Sequence, residues 1–464
     1  MSVIAACSVR TQAAVALHSV GDGPDGSVAL MQPPQRNLAA DFYRASGVGL
    51  IVVGHWLLSS VTYHHDRSGA HFGLENPLGA IPSTQWLTWI FQAVPLFFVV
   101  AGYAGALSWE HRVRDSGFSR EDWLRRRLAR VLGPTAAYVA VVAVVVLAFE
   151  ISGVAGSVLR YGGWAVGMHL WFLSVYIMVV SLTPVAVAAQ RRWGLRAPTV
   201  LAAAAVAVDL GSRLGHVQQV GALNYLLVWG LFYQLGIAWR SGQLRTRAAV
   251  GLGVGSGLTL LALVRFAHYP VSMIGVSGET VQNTNPPTVA LMAFGCAQAG
   301  IAIAVAPRLS QRLDTPRARS VLARANANIM ALYLWHMIPV VIVAVTVYPL
   351  ALLPQPALAS IDWWWIRLAW VAIVCLVAGA EMVLLVRLRR VLSAPLPTFG
   401  TPDSRGWSEV ALLTGAALTA YSLHMFAAAG FAPGGHFASA TAALFATGVS
   451  LVALHPGAVR GYLP

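Results

Sequence analysis

One apolar stretch, 36–61, contains residue types whose spacing suits acid–base chemistry. His55 lies well inside the apolar run, and Asp41 and Arg44 lie at its foot. Arg44 and His55 are eleven positions apart, about three helical turns, so on a helix they share one face roughly 16 Å apart along the axis. An imidazole is the usual general base toward a hydroxyl. We therefore expect His55 to take a proton; a structural histidine satisfied by a carbonyl is the alternative.

Asp41 and Arg44 are three positions apart and can form an ion pair at the foot of the same helix. Basic and titratable groups are rare inside a bilayer and usually face a protein interior or a wet cavity. This favours a catalytic role for both residues beside His55. Anchoring of the helix at the membrane surface is the alternative.

A second candidate site is a dense basic segment, RRRLARVLGP. Guanidinium groups bind phosphates bidentately, so these arginines could hold a phosphorylated carrier such as a coenzyme or a nucleotide. Topological anchoring or contact with anionic lipid is the alternative. The members of the cluster are Arg125, Arg126, Arg127 and Arg130.

Three further polar or aromatic residues lie within apolar runs. His169 and Trp171 open one run with the letters HLWFLSVY, and His336 lies deep in another that contains LYLWH. We assign His169, Trp171 and His336 to substrate binding. A tryptophan at such a position is also expected from the aromatic belt of membrane proteins.

The elements that must position these residues are membrane-spanning helices. The 464-residue chain is 57% hydrophobic and only 10% charged, whereas soluble domains carry about 25% charged residues. Runs of about 20 apolar residues recur, each long enough to cross the hydrocarbon core. The sequence therefore predicts an all-α, polytopic membrane bundle of about twelve spans. They are 44–61, 86–109, 131–151, 168–189, 198–211, 223–239, 248–266, 289–306, 329–348, 364–386, 408–429 and 437–454.

Three regions follow from this pattern. Residues 1–35 have no sustained apolar run and are predicted to be a disordered cytoplasmic tail. Residues 36–390 form the membrane domain with ten spans, and 391–464 add two C-terminal helices. No stretch outside the spans is long or apolar enough to bury a core of its own.

The net charge of +14 comes from arginine, because the sequence contains no lysine. The 31 arginines cluster in short connections, as the positive-inside rule expects, so the charge does not indicate nucleic-acid binding. With both termini cytoplasmic, His55 lies toward the outer leaflet. The arginines that then fall outside are Arg67, Arg160, Arg213, Arg265 and Arg367.

Several local patterns together resemble the acyltransferase 3 family of integral-membrane acyltransferases. DFYRASGVGLIVVGHW resembles its first-span signature of an arginine, ten residues and a histidine, and VPLFFVVAGY, RRRLARVLGP, HLWFLSVY and LYLWH resemble later ones. In VPLFFVVAGY, Ala101 stands where serine is common. The resemblance covers about 39–390, and the two helices beyond it have no assigned role.

The resemblance implies transfer of an acyl group, most often acetyl, from cytoplasmic acyl-CoA to a hydroxyl of a glycan, a glycolipid or a small metabolite. The essential histidine and arginine of the family fall on His55 and Arg44, and its basic motif falls on Arg127 and Arg130. We accordingly assign CoA binding to Arg126, Arg127 and Arg130. The expected location is a bacterial plasma membrane.

Some alternatives are less favoured by the sequence. A proton-coupled transporter also has about twelve spans and intramembrane titratable residues, but the two halves show no convincing similarity. The three cysteines are far apart, and the loop histidines His64, His65 and His71 match no metal-site spacing. We therefore expect no metal and no nucleic acid.

Overall fold

Helices dominate the computed structural model. It describes residues 37–66, 69–114, 119–214, 218–401 and 405–456. The predicted tail, 1–35, lies outside these residues.

The described residues contain a series of α-helices of very different lengths. The first are α1 (Leu38–Leu58), α2 (Pro77–Ala80), α3 (Thr88–Phe91), α4 (Val94–Val113) and α5 (Arg120–Ile151). The second group comprises α6 (Gly156–Gly167), α7 (Trp171–Ser181), α8 (Thr183–Trp193), α9 (Arg196–Leu214) and α10 (Gln218–Gly221). The third comprises α11 (Asn224–Arg240), α12 (Thr246–Phe266), α13 (Val289–Arg312), α14 (Pro316–Trp335) and α15 (Ile338–Val347). The last are α16 (Ile361–Arg387), α17 (Arg389–Leu392), α18 (Arg405–Ala429) and α19 (Ser439–Ala453). Short 3-10 turns lie at Pro82–Leu87, Met168–Leu170 and Pro433–Gly435.

Two small pairs of strands accompany the helices. Strands β1 (Val61–Asp66) and β2 (Gly69–Leu74) form an antiparallel hairpin in which Val61 pairs with Leu74. Strands β3 (Phe399–Thr401) and β4 (Leu454–Pro456) pair in parallel. The hairpin occupies the segment that the sequence predicted as a polar loop after the first span.

The prediction of an all-α membrane bundle is confirmed. Within the described ranges, 8 helices are long and apolar enough to cross a membrane, or up to 10 if each of two bent helix pairs forms one span. Helix α1 is not among them, because Asp41, Arg44 and His55 lower its mean hydropathy, and α19 is only 15 residues long. The twelve predicted spans thus correspond to these ten helices or helix pairs together with α1 and α19.

Two breaks in the helices bear on that count. Helices α8 and α9 meet at an angle of 113°, so the predicted fifth span is half of a broken span or of a re-entrant loop. Gly194 between them has φ +57, a conformation that glycine adopts without strain. Helices α14 and α15 are bent by 48°. Pro339 lies in the first turn of α15, where its missing N–H ends the hydrogen-bond ladder of α14.

Helices α4 and α11 approach closely through glycines. A Cβ at Gly102 would overlap the carbonyl of Tyr233, and one at Gly236 would overlap the carbonyl of Val99. Such contact between backbones is how small residues hold helices together in a membrane.

The two C-terminal helices pack into the bundle. Arg125 of α5 is 1% exposed, and its guanidinium donates to the Val452 carbonyl at 2.5 Å, the Ser408 hydroxyl at 3.0 Å and the Glu121 carboxylate at 2.7 Å. Ser408 also hydrogen-bonds Glu121. One buried arginine therefore links α5 to both α18 and the end of α19.

Candidate functional site

Helix α14 contacts both chemically important positions of α1. The Nε of Arg44 donates to the amide oxygen of Asn326 at 2.5 Å, and the Nδ1 of His55 lies 2.9 Å from the Nε2 of His336. Asn326 and His336 are ten residues apart, and His336 caps the C-terminus of α14. Arg44 and His55 therefore face the same neighbouring helix, as their spacing predicted.

The foot of α1 is held by a small polar network. Arg44 Nη2 lies 3.7 Å from the Asp41 carboxylate, and Asn326 Nδ2 donates to the Asp41 carbonyl at 3.0 Å. The Arg44 side chain is 36% exposed, compared with 16% for Asp41. The ion pair expected from the sequence is thus present, and the Arg44 side chain stays partly exposed.

The structure brings three of the predicted site residues together, the histidines His55, His169 and His336. The ring centroids of His55 and His336 are 5.1 Å apart and nearly parallel, and those of His169 and His336 are 4.9 Å apart and tilted by 62°. His169 and His336 are each 1% exposed, while His55 is half-buried. Residues from three separate parts of the chain thus build one cluster of imidazoles.

The carbonyl of Tyr333 sets the direction of hydrogen bonding in this cluster. It lies 2.7 Å from His336 Nδ1, and a carbonyl can only accept, so Nδ1 carries the proton. In a neutral ring Nε2 must then accept, and His55 Nδ1 donates to it. His55 Nε2 is left with the lone pair, and no hydrogen bond within the described ranges uses it. A base needs such an available lone pair.

Two tyrosines hold the turn that presents His169. This residue belongs to the 3-10 turn between α6 and α7. Tyr138 donates to the Val166 carbonyl at 2.7 Å, and Tyr333 donates to the His169 carbonyl at 2.5 Å. Neither ring nitrogen of His169 has a partner in hydrogen-bonding geometry among the described residues; the Leu334 backbone is a nearby group.

Trp171 lies beside this cluster without entering it. The side chain is half-buried, and its ring contacts are with Trp229 at 5.6 Å and Phe172 at 6.4 Å. Its assignment to substrate binding stays a prediction.

The three arginines assigned to CoA binding face different surroundings. Arg127 is half-buried, and its guanidinium faces the phenol groups of Tyr176 and Tyr233. The Nε of Arg127 is buried and has no partner in the described part of the chain. Arg126 and Arg130 are exposed. Of these three, Arg127 is the one aimed into the bundle.

Aromatic rings lead from Arg127 to the histidines. The ring of Tyr176 lies 5.9 Å from that of Phe172, and Phe172 lies 5.3 Å from Tyr333. Tyr333 in turn lies 5.3 Å from His169 and 6.3 Å from His336. The basic segment and the histidine cluster are therefore connected by a continuous series of aromatic contacts.

Sequence reasoning missed several residues of this site. Tyr333 lies within LYLWH, three positions before His336, so the motif pointed to it without showing its role. No sequence motif pointed to Asn326 or Tyr138. The role of Asn326 depends on its contacts with α1, and that of Tyr138 depends on its contact just before the turn that precedes α7. In the described ranges no group of three or more His, Cys, Asp or Glu residues is arranged to hold a metal ion.

Comparisons with known proteins bear on this arrangement. The family model of acyltransferase 3, described as an acyltransferase domain, matches residues 37–382. No curated protein and no solved structure matches the chain. The matched segment covers most of the chain and contains the histidine cluster, Arg44 and Arg127. The chain therefore belongs to the acyltransferase 3 family of membrane acyltransferases.

Proposed function

We propose that this protein transfers an acyl group, most simply acetyl, from cytoplasmic acyl-CoA to a hydroxyl of a glycan, a glycolipid or a small metabolite. The observation that carries the proposal is the hydrogen-bond chain from the Tyr333 carbonyl through His336 to His55, which leaves a lone pair on His55 Nε2. Family membership favours this enzyme over a proton-coupled transporter. The proposed location is a bacterial plasma membrane, with both termini in the cytoplasm.

The donor end of the reaction is assigned to the arginines. Arg127, which faces into the bundle, and Arg44, which stays partly exposed, would pair with phosphate groups of CoA, with Arg126 and Arg130 at the surface of the same segment. Guanidinium groups suit this task because they bind phosphate bidentately and stay charged. The thioester would extend toward the histidines along the aromatic side chains of Tyr176, Phe172 and Tyr333.

At the other end, His55 Nε2 would take the proton of the acceptor hydroxyl while the oxygen attacks the thioester carbonyl. The carbon–sulfur bond then breaks, and the proton on His55 passes to the CoA thiolate. His336 would stabilise the imidazolium of His55, because its Nε2 accepts from Nδ1 throughout. Holding both reactants in a region that excludes water supplies the proximity that the reaction needs.

The test of the base is the substitution His55→Ala. We expect transfer of label from radiolabelled acetyl-CoA, in native membranes that lack the chromosomal copy, to fall by on the order of 100-fold or more. His424→Ala is the matched control, because this histidine is exposed on α18 and, among the described residues, makes no hydrogen bond or ring contact with the cluster. A His55→Ala protein that inserts normally and transfers label at the wild-type rate would refute the assignment.

A further inference from the structure

A cavity lies just beyond the C-terminal end of α1. It is a cleft of about 290 Å³ between the hairpin β1–β2, the segment 348–357 and the first turns of α16. Its volume is at the lower end of small-ligand pockets, which begin at about 300 Å³. None of the residues assigned above to donor binding or to proton transfer lines this cleft.

The polar centre of the cleft is the carboxylate of Glu75. Ser60 Oγ donates to Glu75 Oε2 at 2.8 Å, and Trp363 Nε1 donates to the same oxygen at 3.2 Å. Since both bonds within the described ranges go to Oε2, Oε1 is left to accept from a bound hydroxyl. The backbone N–H of Glu75 also donates to the Ser60 carbonyl at 2.9 Å, which fixes the carboxylate at the base of the hairpin.

The cleft is also lined by a buried arginine that lies among aromatic rings. Arg367 is 6% exposed and lies 5.9 Å from the Trp363 ring and 5.8 Å from the Trp370 ring. Tyr348 stacks on Trp370 at 5.3 Å. Arg367 also interacts electrostatically with the carboxylate of Glu75. The described lining therefore contains one carboxylate and one guanidinium, which balance, and this favours an uncharged ligand over an anion or a cation.

The cleft adjoins the proposed base through the backbone of α1. Arg367 donates to the carbonyls of Trp56 at 3.1 Å and of Leu57 at 3.0 Å, the two residues that follow His55. Trp56 Nε1 donates to the His336 carbonyl at 2.8 Å. The same tryptophan thus contacts both the cleft arginine and the partner of the base.

We propose that this cleft binds an uncharged sugar residue of the acceptor, an assignment that rests on the proposed acyltransferase function. Aromatic rings pack against the C–H face of a pyranose, while a carboxylate and an amide satisfy its hydroxyls. Glu75 accepts from a hydroxyl, and the amide of Gln355, at the rim, is anchored by bonds to the backbone of Tyr63 at 2.7 and 3.1 Å. A bound sugar would thus lie beside the end of α1 that carries His55.

The test is direct binding of simple sugars to the full-length protein in lipid nanodiscs. The probes are methyl glycosides of glucose, galactose, mannose and N-acetylglucosamine. Their binding is measured by saturation-transfer NMR in the absence of acyl-CoA. We expect saturable binding of at least one glycoside, weakened about ten-fold in Glu75→Gln, which keeps an acceptor but loses the charge. We expect no binding in Ala357→Trp, because this exposed lining residue would then fill the cleft.

Glu279→Gln is the matched control, since this carboxylate lines a different cleft of about 280 Å³. Absence of saturable binding to the wild type, or unchanged binding in Ala357→Trp, overturns the proposal. Glycoside binding together with no acyl transfer in native membranes would retain the cleft and reject the proposed function. Acyl transfer without glycoside binding would support the proposed acyltransferase function and reject sugar binding by the cleft.

Discussion

At the scale of residues, the tautomer of His55 depends on one carbonyl that the sequence does not reveal. His336 was assigned to substrate binding, and its contact with His55 favours an orienting role instead. The carbonyl of Tyr333 points to His336 Nδ1 because α14 ends there, one turn before Pro339. A direct contact of His336 with substrate stays a prediction.

The orienting role predicts a graded response to substitution of His336. Removal of the ring in His336→Ala takes away the acceptor for His55 Nδ1, and we expect kcat to fall by on the order of 100-fold. His336→Gln keeps an oxygen near the position of Nε2, so we expect it to recover part of this loss. The measurement is kcat and KM for acetyl-CoA in native membranes.

A purely structural role for His336 would give a different pattern. Loss of folding would lower the yield of both variants alike, and glutamine would then rescue nothing. Direct substrate contact would raise KM rather than lower kcat. Either result would contradict the orienting role.

The sequence predicted the chemistry of single residues better than their partners. Helical spacing alone placed Arg44 and His55 on one face, because three turns of helix nearly equal eleven residues. The convergence of His169 and His336 on His55 required contacts between distant segments, which periodicity does not encode. Asn326 is the clearest example, because an asparagine within a helix can make many different contacts. The sequence does not single out its contact with Arg44.

At the scale of elements, α5 separates its basic residues between two faces. The helix begins at Arg120, with Ser119 accepting from the Asp122 N–H at 3.3 Å as its N-cap. It therefore starts eleven residues before the predicted third span, which began at 131. As a result, the basic segment is the first part of a long helix, and only some of its arginines can face the bundle.

The facing of α5 predicts unequal roles for its arginines. We expect Arg127→Gln to raise the KM for acetyl-CoA about ten-fold, which corresponds to about 1.4 kcal/mol of lost binding. Arg127 faces Tyr176 and Tyr233, whereas Arg126 and Arg130 are exposed, so we expect smaller increases for Arg126→Gln and Arg130→Gln.

Arg192→Gln controls for loss of surface charge, since Arg192 is exposed at the end of α8. Initial rates at varied acetyl-CoA concentration give the comparison. An unchanged KM in Arg127→Gln would leave this residue as a membrane anchor.

The hairpin β1–β2 shows why other elements could not be predicted. Its segment is short, polar and rich in histidine, so the alternation of a half-buried strand is weak. Its shape depends on the Ser60–Glu75 contact at its base and on the Gln355 contact with Tyr63. Both contacts join segments that are distant in sequence or separated by the hairpin itself.

At the scale of the whole molecule, the helices beyond the matched family segment are built into the bundle. A Cβ at Gly167 would overlap the Phe426 carbonyl, so α6 and α18 touch through their backbones. Arg125 adds hydrogen bonds from α5 to Ser408 and Val452. These helices, which have no role assigned from the sequence, therefore pack on the bundle through a specific contact that can be tested.

Removal of Arg125 should destabilise this part of the molecule. In Arg125→Ala the half-buried carboxylate of Glu121 loses its charged partner, and the Val452 carbonyl loses its buried donor. Losing such hydrogen bonds costs about 1–3 kcal/mol. We expect a lower Tm of the purified protein in detergent. Arg191→Ala is the control, because Arg191 is exposed on α8. An equal Tm for the two variants would show that α18 and α19 do not depend on Arg125.

The two contacts of α1 with α14 have a mechanical consequence. Because Arg44 meets Asn326 and His55 meets His336, a slide of α1 along α14 by one helical turn, about 5.4 Å, would break both at once. The two pairs thus fix the distance between the guanidinium at one end of the helix and the imidazole at the other. A donor that bridges these two groups would have to match that span.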